Sequence, residues 1–337
     1  MGFTTNYVRN LVSLALGREP VRPLLASYYL THRCTLRCVY CSDGSGRPFK
    51  VDPAQELSTA DAKRLIAILA RSTDTLDFTG GEPLMRDDLE ELLAFARQER
   101  ARTVLNTKGL ELLDRPNVLK HCDVLVLSLD AMDTRALAEI IGAGEAEARR
   151  IHEAVRYAVE HRGVTGTRVV LSAVAIPGYL NETRKVLEFA MERKLGFQPS
   201  PCIDGTTVRA GLKSSEEYRE LVSEMLALKR AHAAIFGIRR YLEGIRNVEP
   251  FRCHPLLMPT IRPDGRLYYP CLESGRASVS VLEAGSYPAA LEAAARGHDI
   301  PRCHERCHIF CHMGLSLLQR HPAAALGELK LWRSQPC

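Results

Sequence analysis

The sequence predicts an α/β protein: a parallel sheet covered by helices, followed by a small cysteine-rich α+β extension. Between Ser27 and about Asp204, short apolar runs alternate with amphipathic stretches of helical period, the pattern of successive βαβ units. One run, Val124-Leu125-Val126-Leu127, is apolar at every position, as a strand covered on both faces must be. Beyond about residue 250 the alternation ends and cysteines accumulate, at Cys253, Cys271, Cys303, Cys307, Cys311 and Cys337.

In order, the reading places strands at 27–32, 75–78, 102–106, 124–129, 168–175 and 196–200, with helices at 58–70, 87–98, 113–119, 145–161 and 181–193 between them. Strands separated by helices at this interval form right-handed crossovers, and hence a parallel sheet. Residues 1–26 are an amphipathic extension in which Val8, Leu11, Val12, Ala15 and Leu16 share one face, with Arg9 and Arg18 elsewhere. That face is expected to dock on the core as a lid, with lipid contact as the alternative. Residues 206–250 are expected to form a connector, helical from Ser215 to about Leu242, and 251–337 the cysteine-rich region.

Chemistry enters with Cys34-x3-Cys38-x2-Cys41, directly after the apolar stretch Leu24 to Leu30. Three thiolates ligate three irons of a 4Fe-4S cube, whereas such a cluster usually takes four, so one iron is left open. An open metal position marks a catalytic site rather than a structural one. A zinc or disulfide site is the alternative, although zinc ordinarily takes a second cysteine pair at a matched distance. Roughly forty residues on comes Phe78-Thr79-Gly80-Gly81-Glu82-Pro83-Leu84, between a short strand and a helix-like run. Paired glycines let the backbone approach a ligand closely, and Pro83 sets the turn.

On these two motifs the chain resembles the radical S-adenosylmethionine enzymes, over about two thirds of its length. The resemblance implies a partial (β/α)6 parallel barrel over 27–205, with its ligands at the C-terminal strand ends. It implies that Cys34, Cys38 and Cys41 hold the catalytic 4Fe-4S cluster, whose open iron chelates S-adenosyl-L-methionine, and that Gly80, Gly81 and Glu82 touch the methionine half. Tyr40 matches the position that contacts adenine, with a core tyrosine as the alternative. Ser128 and Asp130 close a strand end that carries polar groups toward the ribose in related enzymes. Asn106, within Asn106-Thr107-Lys108-Gly109, occupies the corresponding end of the preceding strand, where the family more often reads Thr-Asn-Gly. Asn181 either contacts adenine or ribose or caps the helix that follows. Cys202, just past the sixth strand, either gives a hydrogen atom to a substrate radical or is an inert thiol in the same mouth.

The C-terminal region resembles the twitch and SPASM extensions of the same enzymes, which bind auxiliary 4Fe-4S clusters. Pro263-Asp264-Gly265-Arg266-Leu267-Tyr268-Tyr269-Pro270 is a hairpin signal that folds Cys271 back toward Cys253. Two fully ligated clusters take eight thiolates and this region holds six, so one auxiliary cluster is expected, on Cys253, Cys271 and two of Cys303, Cys307 and Cys311. Cys303, Cys307 and Cys311 recur every four residues and, if helical, share one face, with His304, His308 and His312 one step around. The histidines are either ligands or solvated, and zinc is the alternative metal.

The 337 residues suggest about two domains, and the net charge of +5 is spread along the chain rather than gathered in a stripe, which argues against nucleic acid as a partner. Eleven cysteines and the lack of an evident signal peptide point to a reducing cytoplasm, and no stretch of ~20 apolar residues spans a membrane. The resemblance implies reductive cleavage of S-adenosylmethionine to a 5'-deoxyadenosyl radical, with electrons from a flavodoxin or ferredoxin-like donor. A small-molecule, sugar or lipid substrate is favoured, because 26 leading residues are too few for a peptide-binding domain. A peptide precursor delivered by a separate recognition protein is the second reading. A non-enzymatic electron carrier or cluster scaffold is the third, disfavoured because a carrier needs no cofactor pocket at its strand ends.

Overall fold

After helix α1 (Phe3–Ala15), six strands, β1 (Ala26–Thr31), β2 (Thr75–Gly80), β3 (Arg102–Thr107), β4 (Val124–Ser128), β5 (Arg168–Ala175) and β6 (Gly196–Pro201), pair in parallel in chain order. The structure, a computed structural model, describes residues 2–41, 55–273, 275–296 and 307–334. Helices α2 (Thr59–Ala70), α3 (Leu89–Gln98), α4 (Thr134–Ile141), α5 (Glu145–Thr165) and α6 (Leu180–Glu192) supply the crossovers. A two-stranded hairpin, β7 (Ile203–Asp204) and β8 (Thr207–Val208), follows, then α7 (Ala210–Lys213), α8 (Glu216–Arg230) and α9 (Arg239–Asn247). The chain ends with β9 (Thr260–Ile261), β10 (Arg266–Tyr269), β11 (Arg276–Ser280), α10 (Val281–Ala284), α11 (Tyr287–Ala295), α12 (Phe310–Arg320) and α13 (Pro322–Ser334).

Among the described residues the sheet has nine strands, in the order β11-β10-β9-β1-β2-β3-β4-β5-β6. The cysteine-rich extension therefore attaches by adding strands to the edge of the partial barrel: β9 runs parallel to β1, and the Asp264-Gly265 turn reverses the chain into β10, pairing Leu267 with Ile261. At the opposite edge, the segment around Ala234 and Phe236 bonds to Phe197 of β6 and covers it.

Strand alternation sorts the two faces. Leu125 and Leu127 of β4 join the main core against the helices, while Val124 and Val126 join Val170 on the inner face, with Val104 and Phe236 packed beside them. Along β3 to β6, nearer the C-terminal strand ends, the inner positions turn polar at Asn106, Ser128, Ser172 and Gln198, while in β1 and β2 they are already polar level with Val104, at Ser27 and Asp77. An apolar floor with a polar rim thus follows from period-two patterning alone.

Several elements depart from expectation. Residues 113–119 are two 3₁₀ turns, Leu112–Asp114 and Pro116–His121, because Pro116 lacks the amide a continuous α-helix needs. The helix α4 was not anticipated; Asp133 caps its start by accepting from the Ala136 amide, and Gly142 ends it at φ 60. The stretch expected to be one helix from Ser215 to about Leu242 is two helices, α8 and α9, with Gly237 at φ 86 between them, and the short α7 precedes them. Cys307 precedes α12, so the four-residue cysteine spacing does not make one helical face across Cys307 and Cys311; Cys303, His304 and Cys337 lie outside the described residues.

The largest correction concerns α1. It docks through Asn6 and Asn10, both buried: Asn6 Nδ2 donates to Pro23 O and Ser72 O at 2.7 Å each, and Asn10 Nδ2 to Arg22 O at 2.8 Å. Val8, Val12 and Leu16, expected to pack inward, are instead 52%, 54% and 63% exposed. The carbonyls around residues 22–23 and 72 need donors, and asparagines satisfy them where apolar side chains cannot.

Candidate functional site

The three-cysteine loop is clamped at both ends. Gly81 N donates to Thr31 O and Glu82 N to Arg33 O, both at 2.8 Å, laying the end of β2 on the backbone that leads into Cys34. A Cβ on Gly80 would stand 2.2 Å from Thr31 O, at φ +139, and one on Gly81 2.2 Å from Arg33 O. Glycine is therefore needed here for backbone contact with the cysteine loop itself. At the far end, Arg37 N donates to Ile141 O at 2.8 Å and Val39 N to Ile140 O at 2.9 Å, so the loop satisfies the last carbonyls of α4. Cys34 and Cys38 are half-buried and Cys41 is exposed.

Glu82 is buried, and its carboxylate is committed to the protein: Oε1 accepts from Thr107 Oγ1 at 2.5 Å and Leu84 N at 3.0 Å, and Oε2 from Lys108 N at 2.9 Å. It ties the end of β2 to the end of β3, and burial raises its pKa to about 7 against these donors. Lys108, two residues past Asn106, sends its ammonium to Asp130 Oδ2 and lies 5.7 Å above the Tyr40 ring. Burial would lower the pKa of Lys108, but Asp130 and the Cys38 and Cys41 thiols outweigh it and hold it above the ordinary value. A permanent cation thus faces two of the three cysteines. Tyr40 donates to the same Asp130 oxygen at 2.6 Å, while Asp130 Oδ1 accepts from Val174 N at 3.0 Å, so one buried carboxylate joins the cysteine loop, β3 and β5.

Asn106 does not point into open space at its strand end; its amide donates to Asp77, which also accepts from Ser27 Oγ at 2.9 Å. Burial lifts Asp77 to about 6. Ser128 is half-buried on the inner face, paired in register with Ser172. Cys202 is buried at the mouth, its thiol pKa raised chiefly by burial and within electrostatic reach of Asp130. Asn181 stays apart: it is exposed in the first turn of α6, and Tyr179 rather than Asn181 stands at the N-cap.

A second cluster forms under the C-terminal region. Ligand atoms of Cys271, Glu273 and His312 all lie within 4.8 Å of one another. The neighbouring Cys311 is pushed up to about 12 by burial, with Asp77 and Glu273 adding to the rise. Tyr29 of β1 feels burial first and then Glu273, Asp77 and Cys311, so this cluster lies against the inner face of β1 and β2. His308 is held elsewhere, its amide on Thr206 O at 2.6 Å. Cys253 is half-buried and Cys307 buried. Lys108, Asp77 and Glu273 had no assigned role in the sequence; for Asp77 and Lys108 the available signal was a charge inside or directly after a strand, and Glu273, in the turn after β10, carried none.

A parallel sheet whose C-terminal mouth holds three cysteines, a glycine-clamped loop and a buried lysine–aspartate pair defines a cluster-binding α/β protein. Residues 28–190, just under half of the chain, match the family model of the Radical SAM superfamily. Among curated proteins it is 36% identical over 116 residues to the Fe-coproporphyrin III synthase of Methanosarcina barkeri (strain Fusaro / DSM 804), covering 34% of this chain and 27% of that protein. It is 37% identical over 114 residues to the GTP 3',8-cyclase of Corynebacterium glutamicum (strain R), covering 31% of this chain and 30% of that one. The chain thus matches under a third of the length of these relatives. Among solved structures, Streptococcus suis SuiB bound to S-adenosylmethionine superposes with a TM-score of 0.61 at 16% identity, over 86% of this chain and 72% of SuiB. Native anSMEcpe with bound AdoMet gives 0.54 at 13% identity, over 91% of this chain and 100% of that one. At these identities the likeness is one of fold.

The cofactors of the superfamily are a 4Fe-4S cluster and S-adenosylmethionine. The donor set fits the cluster: three thiols on one anchored loop, with the Lys108 ammonium placed to offset the thiolate charge of Cys38 and Cys41.

Proposed function

We propose that the protein is a radical S-adenosylmethionine enzyme acting on a small-molecule, sugar or lipid substrate, with one auxiliary 4Fe-4S cluster at its C-terminal cysteines. When bound, the first cluster and S-adenosylmethionine supply one-electron reductive cleavage and a 5'-deoxyadenosyl radical that abstracts hydrogen from carbon. The observation that carries this reading is the convergence of Cys34, Cys38 and Cys41 with Lys108 and Asp130 at one end of the sheet.

In this reading the three cysteines hold the cluster. The backbone of Gly80, Gly81 and Glu82 meets the methionine half, since the Glu82 carboxylate is already occupied. Tyr40 and Asp130 position adenine and ribose, with Ser128 beside them, while Asn106 acts through Asp77 and Asn181 is the weakest candidate. The raised pKa of Cys202 keeps its S–H protonated, as a hydrogen-atom donor must be. The apolar floor of Val124, Val126 and Val170 excludes water beneath the reacting carbon.

Auxiliary ligation falls to Cys253, Cys271 and two of Cys303, Cys307 and Cys311, of which Cys303 lies outside the described residues. A flavodoxin or ferredoxin-like protein in a reducing cytoplasm supplies the electron. Among the described residues no helix is long and apolar enough to cross a membrane.

The test is anaerobic reconstitution of the wild type and a Cys34/Cys38/Cys41→Ala variant, scored for iron and for 5'-deoxyadenosine released from S-adenosylmethionine with a strong reductant. About eight irons with release in the wild type, and about four with none in the variant, are expected. A fully loaded wild type that releases none sinks the enzyme reading and favours an electron carrier.

A further inference from the structure

The C-terminal cluster contains a histidine arranged as a ligand. His312 is buried on the first turn of α12, with Nε2 3.0 Å from Glu273 Oε2 and Nδ1 buried without a hydrogen-bond partner among the described residues. A buried polar atom left unsatisfied is costly, so a bare nitrogen at this position calls for a partner. Metal-bound histidines characteristically give their other ring nitrogen to a carboxylate, which fixes the ring and leaves one nitrogen for the metal. Glu273 occupies that orienting position, and the Cys271 thiol, which also hydrogen-bonds Glu273, belongs to the same group of ligand atoms within 4.8 Å.

Helix geometry separates His312 from its neighbour. Consecutive residues on α12 point about 100° apart, so Cys311 and His312 address different surroundings. Glu273 is common to both, but Cys311 otherwise faces Asp77 and the inner face of the sheet, whereas His312 is the residue grouped with Cys271. His254 offers a contrast: it too pairs with a carboxylate, Glu19, at 2.6 Å, but it belongs to no group of three ligand-bearing residues among those described.

We propose that Nδ1 of His312, in place of one of the two thiolates drawn from Cys303, Cys307 and Cys311, ligates the auxiliary metal centre together with the Cys271 thiolate, with Glu273 holding the ring through Nε2. This rests on the reading of the C-terminal region as an auxiliary cluster site. A nitrogen ligand in place of a thiolate removes a negative charge from the cluster and raises its reduction potential, as in Rieske centres. The C-terminal site thereby becomes an electron acceptor beside the inner face rather than a copy of the first cluster.

The experiment uses the full chain carrying Cys34/Cys38/Cys41→Ala, reconstituted anaerobically with ferrous iron and sulfide, so that only the C-terminal site loads. Iron and sulfide are counted, and pulsed electron paramagnetic resonance of the reduced protein is recorded with natural and [15N]histidine labelling. About four irons are expected, with a strongly coupled nitrogen that changes on histidine labelling. His312→Cys should keep the iron, lose that coupling and shift the reduction potential downward. If His312→Cys fails to fold by circular dichroism, the labelling result on the unsubstituted histidine decides alone. Full iron loading without a coupled histidine nitrogen overturns histidine ligation while leaving the auxiliary cluster intact; no iron overturns the auxiliary-cluster reading and this inference with it.

Discussion

Lys108, just past the end of β3, bonds to Asp130, just past the end of β4, with both side chains buried and the lysine lying over Tyr40. Breaking a buried pair strands a charge at a cost of about 3–5 kcal/mol, whereas removing both members is far cheaper. Lys108→Met should therefore lower unfolding stability by that amount in denaturant melts, and adding Asp130→Asn should recover most of the loss. Additive losses in the double variant would show that the two groups do not interact.

The Glu82 carboxyl, raised on folding from 4.5 to about 7, binds its proton more tightly in the native state. The stability tied to it is complete below about 4.5 and is lost as pH rises toward 7. Over that window the wild-type apoprotein should lose roughly 1.4 kcal/mol per pH unit relative to Glu82→Gln. Parallel stability profiles for the two proteins would contradict the assignment.

Gly81→Ala forces a Cβ to within 2.2 Å of the Arg33 carbonyl, which is rigid backbone rather than a yielding side chain. A stability loss of about 1–3 kcal/mol is expected, along with reduced iron uptake at the three-cysteine loop. Gly163→Ala, within α5, where a Cβ meets nothing within 4 Å among the described residues, is the control and should lower neither, since alanine is the better helix former there.

The docking of α1 separates polar from apolar contributions. Asn6→Ala leaves the Pro23 and Ser72 carbonyls without their donor and should cost about 1–3 kcal/mol. Val8→Ser and Val12→Ser, both on exposed positions, should stay within about 0.5 kcal/mol of the wild type. The reverse ranking in thermal melts would restore the apolar face as the docking surface.

Cys202→Ala should leave 5'-deoxyadenosine release intact while product is lost, if the buried thiol at the mouth donates a hydrogen atom. Unchanged product yield would assign Cys202 to packing alone.

Much of the barrel was readable because strand and helix periods are local properties. The all-apolar β4, the Ser58-capped α2 and the Asp264-Gly265 turn into β10 each follow from a few neighbouring residues. The missed α4 is short, and its cap and terminating glycine are modest signals beside its strong tertiary role of holding the cysteine loop through Ile140 and Ile141. The failed expectation for α1 has the same origin. Apolar periodicity identifies the face that prefers burial, but the docking surface presented backbone carbonyls, and hydrogen-bond satisfaction decided the orientation.

The chemistry divides along the same line. Cys34, Cys38 and Cys41 with Gly80-Gly81-Glu82 announce a cluster and its family because ligand spacing along a loop and glycine at a close approach are sequence-local requirements. The pairing of Lys108 with Asp130, the tie from Glu82 to Thr107, the bond from Asn106 to Asp77, and the meeting of Cys271 with His312 join residues between 22 and 41 positions apart, across strands or between the sheet edge and the last helices. No local period encodes them. They exist because a parallel sheet brings its strand ends to one rim and because β9 to β11 carry the C-terminal cysteines to the first edge of that sheet. There the low dielectric of the buried rim makes each unpaired charge costly enough to require the partner it finds.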